Sequence, residues 1–287
     1  MTGAVADPLA AKLTTALGGR FELHEACGTG AQGNVYRAFR VRAPDGSVAD
    51  DEVALKLYSD EALHERVQRE VGALLSIRHP TISKLVESGV VTIDGNQVCY
   101  LAFDFVHGMA LASRLKDVGT LNATVTAIVG RDIATAIDQL WRSTSRIVHR
   151  DIKPSNIMLR VGEREAVLVD LGISKFQALA PITTIGQMLG TPGYMSPEQL
   201  AGETLTCLAD VFSLGVTLVE VSLGRHPTGG SQFQLLKTVE VGQLLPTAPY
   251  EMVDLMQRMV SQEPENRPNP DEVASICSSG VAAWRQL

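Results

Sequence analysis

The sequence predicts an α+β protein in two parts, a small antiparallel β-rich part followed by a larger, mostly helical one. Three observations carry this. Short runs rich in β-branched and aromatic residues crowd the first third, at 20–27, 34–41, 52–57, 85–93 and 97–105. Turn signals, Pro44-Asp45-Gly46 and Asp94-Gly95, separate consecutive runs. From Gly108 onward the apolar spacing becomes that of helices.

In chain order, the first three runs read as strands. Residues 60–77 then switch to helical spacing, with Leu63, Val67, Val71 and Leu74 on one face. Two further strands follow, joined at Asp94-Gly95. Residues 121–141 form a long apolar-periodic helix, and 147–169 hold short strands around a polar loop. Residues 205–223, 250–260 and 271–284 read as helices. Pro270-Asp271-Glu272 starts the last of these, placing acidic charge in its first turn. No internal repeat or low-complexity tract interrupts the chain. The expected division is an N-terminal extension at 1–19, a first lobe at 20–105 and a second at 106–287, with one domain spanning 20–285.

At 287 residues the chain is long for one hydrophobic core, and 45% hydrophobic with 20% charged residues is an ordinary folded composition. A net charge of −7 disfavours a general nucleic-acid binder, while leaving room for a local basic phosphate pocket. Cys27, Cys99, Cys207 and Cys277 form no CxxC pair and have no histidine at metal spacing, which excludes a zinc site or disulfide framework and fits a reducing cytosol. No secretory signal and no apolar run long enough to span a bilayer is read; 211–223 is broken by Ser213, Glu220 and Ser222.

The chemistry begins at Gly28-Thr29-Gly30-Ala31-Gln32-Gly33-Asn34-Val35. Glycines at this spacing let backbone approach phosphates, because no side chain intervenes. Alone, such a segment is as readily an ordinary turn. Here it joins strand to strand, not strand to helix, which argues against a dinucleotide fingerprint of Rossmann type and for a flap over nucleotide phosphates. Val53-Ala54-Leu55-Lys56 follows on the third strand; a lysine ending an apolar run is usually a snorkelling surface residue. Farther on comes His149-Arg150-Asp151-Ile152-Lys153-Pro154-Ser155-Asn156, then Asp170-Leu171-Gly172 after a strand-like run, and Gly190-Thr191-Pro192-Gly193-Tyr194-Met195-Ser196-Pro197-Glu198.

With that octapeptide the chain resembles the eukaryotic-type (Hanks-type) Ser/Thr protein kinase superfamily, and the 190–199 block is similar to its bacterial eukaryote-like members. The resemblance covers about residues 20–285 and implies a two-lobed protein kinase fold. It implies that Gly28, Thr29, Gly30 and Gly33 cover the phosphates of ATP, and that Lys56 contacts the α- and β-phosphates and pairs with Glu70. It further implies that Asp151 accepts the substrate hydroxyl proton, that Lys153 contacts the transferred phosphate, and that Asn156 and Asp170 hold Mg2+, with Mn2+ as a substitute. Val35, Ala54 and Met158 would sandwich adenine behind the gatekeeper Phe103, with the Asp104 carbonyl and Val106 amide on its edge. Thr191 would bond Asp151 and Lys153, Glu198 would pair with Arg267, and Asp210 would cap the catalytic-loop backbone. Five departures stand out: Leu171 where Phe is commoner, Ser196 where Ala is commoner, Phe212 where Trp is usual, Ala110 where relatives carry a ribose-binding side chain, and a short 14-residue step from Lys56 to Glu70.

The expected activity is transfer of the γ-phosphate of MgATP to serine or threonine hydroxyls of protein substrates in the cytoplasm. Arg150 would bind a phosphorylated activation segment, with Thr183 and Thr184 as autophosphorylation sites modified in a transient homodimer. No nucleic-acid partner is expected. A pseudokinase scaffold is the alternative; Lys56, Asp151, Asn156 and Asp170 all being present weighs against it. A small-molecule phosphotransferase of similar fold would lack the 190–198 block.

Overall fold

The computed structural model of the chain describes residues 8–30, 33–58, 71–171, 191–231, 237 and 239–284. They fall into two compact units, residues 1–78 with 83–106, and residues 79–82 with 107–287.

The first unit is built on an antiparallel five-stranded sheet. Its strands are β1 (Phe21–Gly30), β2 (Gly33–Arg42), β3 (Val48–Tyr58), β4 (Leu85–Ile93) and β5 (Asn96–Asp104), in the order β1-β2-β3-β5-β4. Both expected turns form for local reasons. The Asp45 carboxylate accepts from the Ser47 amide at 2.9 Å and its hydroxyl at 2.7 Å, closing the β2–β3 connection. Asp94 and Gly95 both take positive φ, 50° and 84°, which matches the twist of a two-residue hairpin. Pairing carries the strands past their sequence-expected ends. β1 runs on into the glycine segment because Gly28 and Gly30 pair with Val35 and Gly33, and β3 starts early because Val48 pairs with Arg42.

Alternation then assigns the two faces of the sheet. Val53, Leu55 and Leu57 of β3 are buried with Tyr36, Ala38, Tyr100 and Ala102, which lie opposite or beside them in register. Over this face lies α1 (Pro8–Ala16), whose Leu13 joins Leu17 and Phe21 in the same cluster. The 1–19 extension thus contributes a helix that sequence reading did not identify. A polar knot ties the helix exit to the sheet: the Arg20 guanidinium donates to Glu87 at 2.6 Å and to the Tyr100 hydroxyl at 2.8 Å, and Tyr100 donates to Glu87 at 2.8 Å. Burial, then the hydrogen bond to Glu87, pushes the Tyr100 phenol well above its ordinary range. Residues 71–76 are helical. Residue 77 is not helical, and 60–70 of the helix expected at 60–77, Glu70 included, lie outside the described residues.

The second unit is mainly helical. It contains β6 (Gly108–Ala110), α2 (Leu111–Val118), α3 (Ala123–Arg142), β7 (Ile157–Arg160), β8 (Ala166–Leu168), α4 (Pro197–Ala201), α5 (Cys207–Leu223), α6 (Val241–Leu244), α7 (Tyr250–Met259) and α8 (Pro270–Ala283). Asn122 caps α3 by accepting from the Val125 amide, and Thr206 caps α5 by accepting from that of Leu208. Helix α5 is buried almost all round, as a central helix must be. Strands β6, β7 and β8 form a small antiparallel sheet. Gly108 is required there: a Cβ would lie 2.0 Å from the Leu159 carbonyl oxygen. Residues 79–82 belong to this unit because Ile82 bridges Leu168 in parallel and the Thr81 carbonyl accepts from the Leu168 amide at 2.8 Å. Among the described residues no helix is long and apolar enough to cross a membrane.

Candidate active site

In the first unit, register gathers the residues expected to meet the nucleotide. Val35 lies opposite Lys56, Lys56 opposite Leu101 and Ala54 opposite Phe103, so these side chains share one face. It is the face opposite the one that α1 covers. Lys56 is buried, 6% exposed, so it is not a snorkelling surface lysine; its ammonium lies 5.2 Å from the Tyr58 ring centroid. At the end of β5, Asp104 is fixed by its own backbone: its amide donates to the Lys84 carbonyl at 2.9 Å, and its carbonyl accepts from the Ser83 hydroxyl at 3.2 Å. Val106 is buried.

In the second unit, residues 149–156 form a loop held by its neighbours. Asp210, buried on α5, accepts from the backbone amides of His149 and Arg150 at 2.7 and 2.8 Å. The Arg150 carbonyl accepts from Gln199 of α4 at 3.0 Å. The His149 Nδ1 accepts from the Asp151 amide at 3.4 Å, which puts the ring proton on Nε2, facing the Val169 carbonyl at 3.3 Å. Arg150 takes φ 65°, a left-handed conformation that a non-glycine residue holds only under outside constraint. Arg150 itself is buried.

Asp151 sits at the centre. Its Oδ1 accepts from the Thr191 hydroxyl at 2.7 Å, and its Oδ2 accepts from the Asn156 amide at 2.9 Å and lies 3.0 Å from the Lys153 ammonium. Lys153 also donates to Thr191. Asn156 further donates to the Asp151 carbonyl at 2.7 Å. With its NH2 directed at Asp151, Asn156 presents its carbonyl oxygen as the remaining polar atom. Asp170 has φ 60°, a second strained non-glycine backbone next to buried Leu171. Its strand is anchored to the loop, because the Val169 amide donates to the Asn156 carbonyl at 2.9 Å. Met158 lies on β7 between Ala110 of β6 and Val167 of β8.

An amide oxygen and a carboxylate are hard donors that fit Mg2+, which typically takes one or two protein oxygens and completes its shell with phosphate and water. Among the described residues no three His, Cys, Asp or Glu side chains cluster as a metal cage.

Behind the loop, Ser196 caps α4 by accepting from the Gln199 amide, with Pro197 as its first residue. Glu198 then meets Arg267 in a buried two-point pair at 2.6 and 3.0 Å. Phe212 lies under that guanidinium, 5.0 Å from its carbon to the ring centroid. Two further contacts went unread in the sequence. The Tyr194 hydroxyl donates to Glu220 at 2.6 Å, and His226 bonds the Gly193 carbonyl at 2.9 Å. Burial first, then Glu220, holds the Tyr194 phenol far above its usual range. Gly172, Gly190, Thr183 and Thr184 lie outside the described residues.

The strand-joining glycines and buried strand lysine of the first unit, and the 149–156 loop locked onto the central helix of the second, are the features of the protein kinase class. The chain belongs to the protein kinase domain family, whose pattern matches residues 21–276. Bacterial Ser/Thr-protein kinases are among its relatives. It is 30% identical over 274 residues to Ser/Thr-protein kinase PkaA of Streptomyces coelicolor, covering 90% of this chain and 49% of the relative. It is 27% identical to PrkC of Bacillus subtilis, covering 88% and 39%. It is 28% identical to PknA of Mycobacterium tuberculosis, covering 91% and 62%. The chain thus spans about half the length of these relatives or somewhat more or less. The crystal structure of the Mycobacterium tuberculosis PknI kinase domain shares the fold, with TM-score 0.70 at 23% identity over 91% of this chain and 96% of that one.

Proposed function

We propose that this chain is a catalytic domain that transfers the γ-phosphoryl group of ATP to serine or threonine hydroxyls of protein acceptors. The observation that carries the reading is the setting of Asp151, a buried carboxylate aimed by Thr191, Asn156 and Lys153 together.

The acceptor hydroxyl gives its proton to Asp151 as its oxygen bonds to the γ-phosphorus and the bond to the β-phosphate oxygen breaks, releasing ADP. Lys153 supplies positive charge beside the transferred group, and its hold on Thr191 keeps it there. Lys56 serves the α- and β-phosphates from its buried position on β3. When bound, Mg2+ would neutralise negative charge on the nucleotide, and Asn156 and Asp170 are the residues that would hold it. The backbone of residues 149 and 150, held by the side chains of Asp210 and Gln199, means that little reorganisation accompanies the reaction. The guanidinium of Arg150, near the start of the 149–156 loop, is the group that would bind a phosphorylated activation segment carrying Thr183 and Thr184. The family uses ATP and acts on proteins; residue-level nucleotide contacts, cytoplasmic location and a transient homodimer belong to this proposal.

The test is transfer from labelled ATP with magnesium to dephosphorylated casein. Asp151→Asn and Lys56→Met should each lose about 10²-fold or more in turnover with native circular dichroism. Near-wild-type transfer by either variant overturns the assignment. Nucleotide binding by the wild type without any transfer would leave the scaffold reading instead.

A further inference from the structure

We infer that His226 is a positioning residue for the acceptor side of this reaction; the inference rests on the kinase reading above. His226 lies just beyond α5, after Gly224 closes that helix in a left-handed conformation. Its Nδ1 accepts two backbone amides, from Gly230 at 2.9 Å and Thr228 at 3.2 Å. A nitrogen facing two N–H donors carries no proton, so the ring proton is on Nε2. There it donates to the Gly193 carbonyl at 2.9 Å. One imidazole thereby closes its own loop and pins a second segment 33 residues away in sequence.

The pinned segment is held from outside, with Ser213 donating to the Tyr194 carbonyl at 2.7 Å and His226 to that of Gly193. Gly193 has φ 96°, a conformation open to glycine, and a Cβ there would lie 3.1 Å from both the Gly230 carbonyl oxygen and His226 Nε2. Next to it, Tyr194 packs edge-on against the imidazole, with ring centroids 5.0 Å apart. The Tyr194 amide donates to the Thr191 carbonyl at 3.2 Å, and Thr191 is the residue that bonds Asp151. Tyr194 and Thr191 also wall a cavity of about 390 Å³, together with Lys153, Lys116 and Glu220. A space bounded by partners of Asp151 is where residues flanking the acceptor hydroxyl would lie. By setting Gly193 and Tyr194, His226 sets one wall of that space.

Three variants separate the two ends of the ring. His226→Phe keeps a ring against Tyr194 and removes both nitrogens. His226→Asn places an acceptor at the Nδ1 position, and His226→Gln places a donor at the Nε2 position. With casein as acceptor, His226→Phe should raise the acceptor KM about three- to tenfold, the worth of one hydrogen bond, with kcat and the KM for ATP within about twofold. His226→Gln should recover most of the acceptor KM, and His226→Asn should not. A role in stability alone would lower kcat through a smaller folded fraction and leave the acceptor KM unmoved. Unchanged acceptor KM in all three variants, or recovery by His226→Asn instead of His226→Gln, overturns the inference while leaving the kinase reading intact. Absence of transfer by the wild type overturns the kinase reading, and this role for His226 with it. Nitrogen-15 spectra of the wild-type imidazole give an independent check: a proton on Nε2 alone is expected, and a proton on Nδ1 refutes the bonding scheme whatever the activity.

Discussion

Arg267 uses every N–H it has. Nε donates to Ser261, Nη1 to Glu198 and Leu208, and Nη2 to Glu198 and Gln262, all at 2.6–3.0 Å. Removing this group leaves a buried carboxylate without its two-point partner and takes one donor from each of three carbonyls. Arg267→Ala should therefore cost about 3–5 kcal/mol in urea unfolding, and Arg267→Lys, with three donors and no fork, should recover little of it. A loss under about 1 kcal/mol would show that the pair is not the anchor its geometry implies. Asp210→Asn makes a finer test. An amide has one acceptor oxygen where the carboxylate has two, so one of the His149 and Arg150 amides would face an NH2 group, at a cost of about 1–3 kcal/mol by the same measurement. At this scale the resemblance offered bonds as well as residues: Thr191 with Asp151 and Lys153, Glu198 with Arg267, Asp210 with the loop backbone. Asp151, Asn156, Glu198, Asp210 and Arg267 were legible from spacing and resemblance. His226, Gln199 and Glu220 were not, because each works through main chain or a partner that is distant in sequence and leaves no local pattern.

Helix α1 is nine residues long, with no acidic residue in its first turn and no basic one in its last. Such a segment is marginal alone and is stabilised by what it covers. Leu13 and the following Leu17, both 1% exposed, sit one helical turn apart in the same buried cluster as Val53, Leu55 and Leu57. Leu13→Ala or Leu17→Ala should each destabilise the first unit by about 2–5 kcal/mol, read as faster hydrogen exchange in β1–β5. Exchange unchanged in those strands would mean the helix is ornamental. The i, i+4 leucines were the available signal, but without caps they did not stand out from an unstructured lead. The strands were easier, since alternation and turn chemistry agreed at Asp94-Gly95 and Pro44-Asp45-Gly46. Their ends were not, because strand length follows the partner strand. The pairing of Ile82 with Leu168 was invisible for the same reason: it is a contact between segments, not a property of either.

Over the whole molecule, the division into a strand-rich part and a helical part was plain in the composition of successive windows, as periodicity changes from two to 3.6 residues. The four cysteines are all free, one exposed and three buried. Desolvation pushes the thiols of Cys99 and Cys207 up to about 11 and that of Cys277 to about 12, so all three stay protonated through neutral pH. Ellman's reagent at pH 8 should accordingly titrate Cys27 in the native protein and all four thiols in guanidinium; rapid native reaction of more than one would contradict the packing. The way Asp210 grips residues 149 and 150 has a consequence for engineering. The octapeptide around Asp151 owes its shape to a carboxylate some 60 residues downstream, on a helix sealed inside its unit. It is not a portable cassette. Transplanted into another scaffold without a matching buried acid, the same eight letters would relax out of their left-handed bend at Arg150 and scatter the groups they now gather.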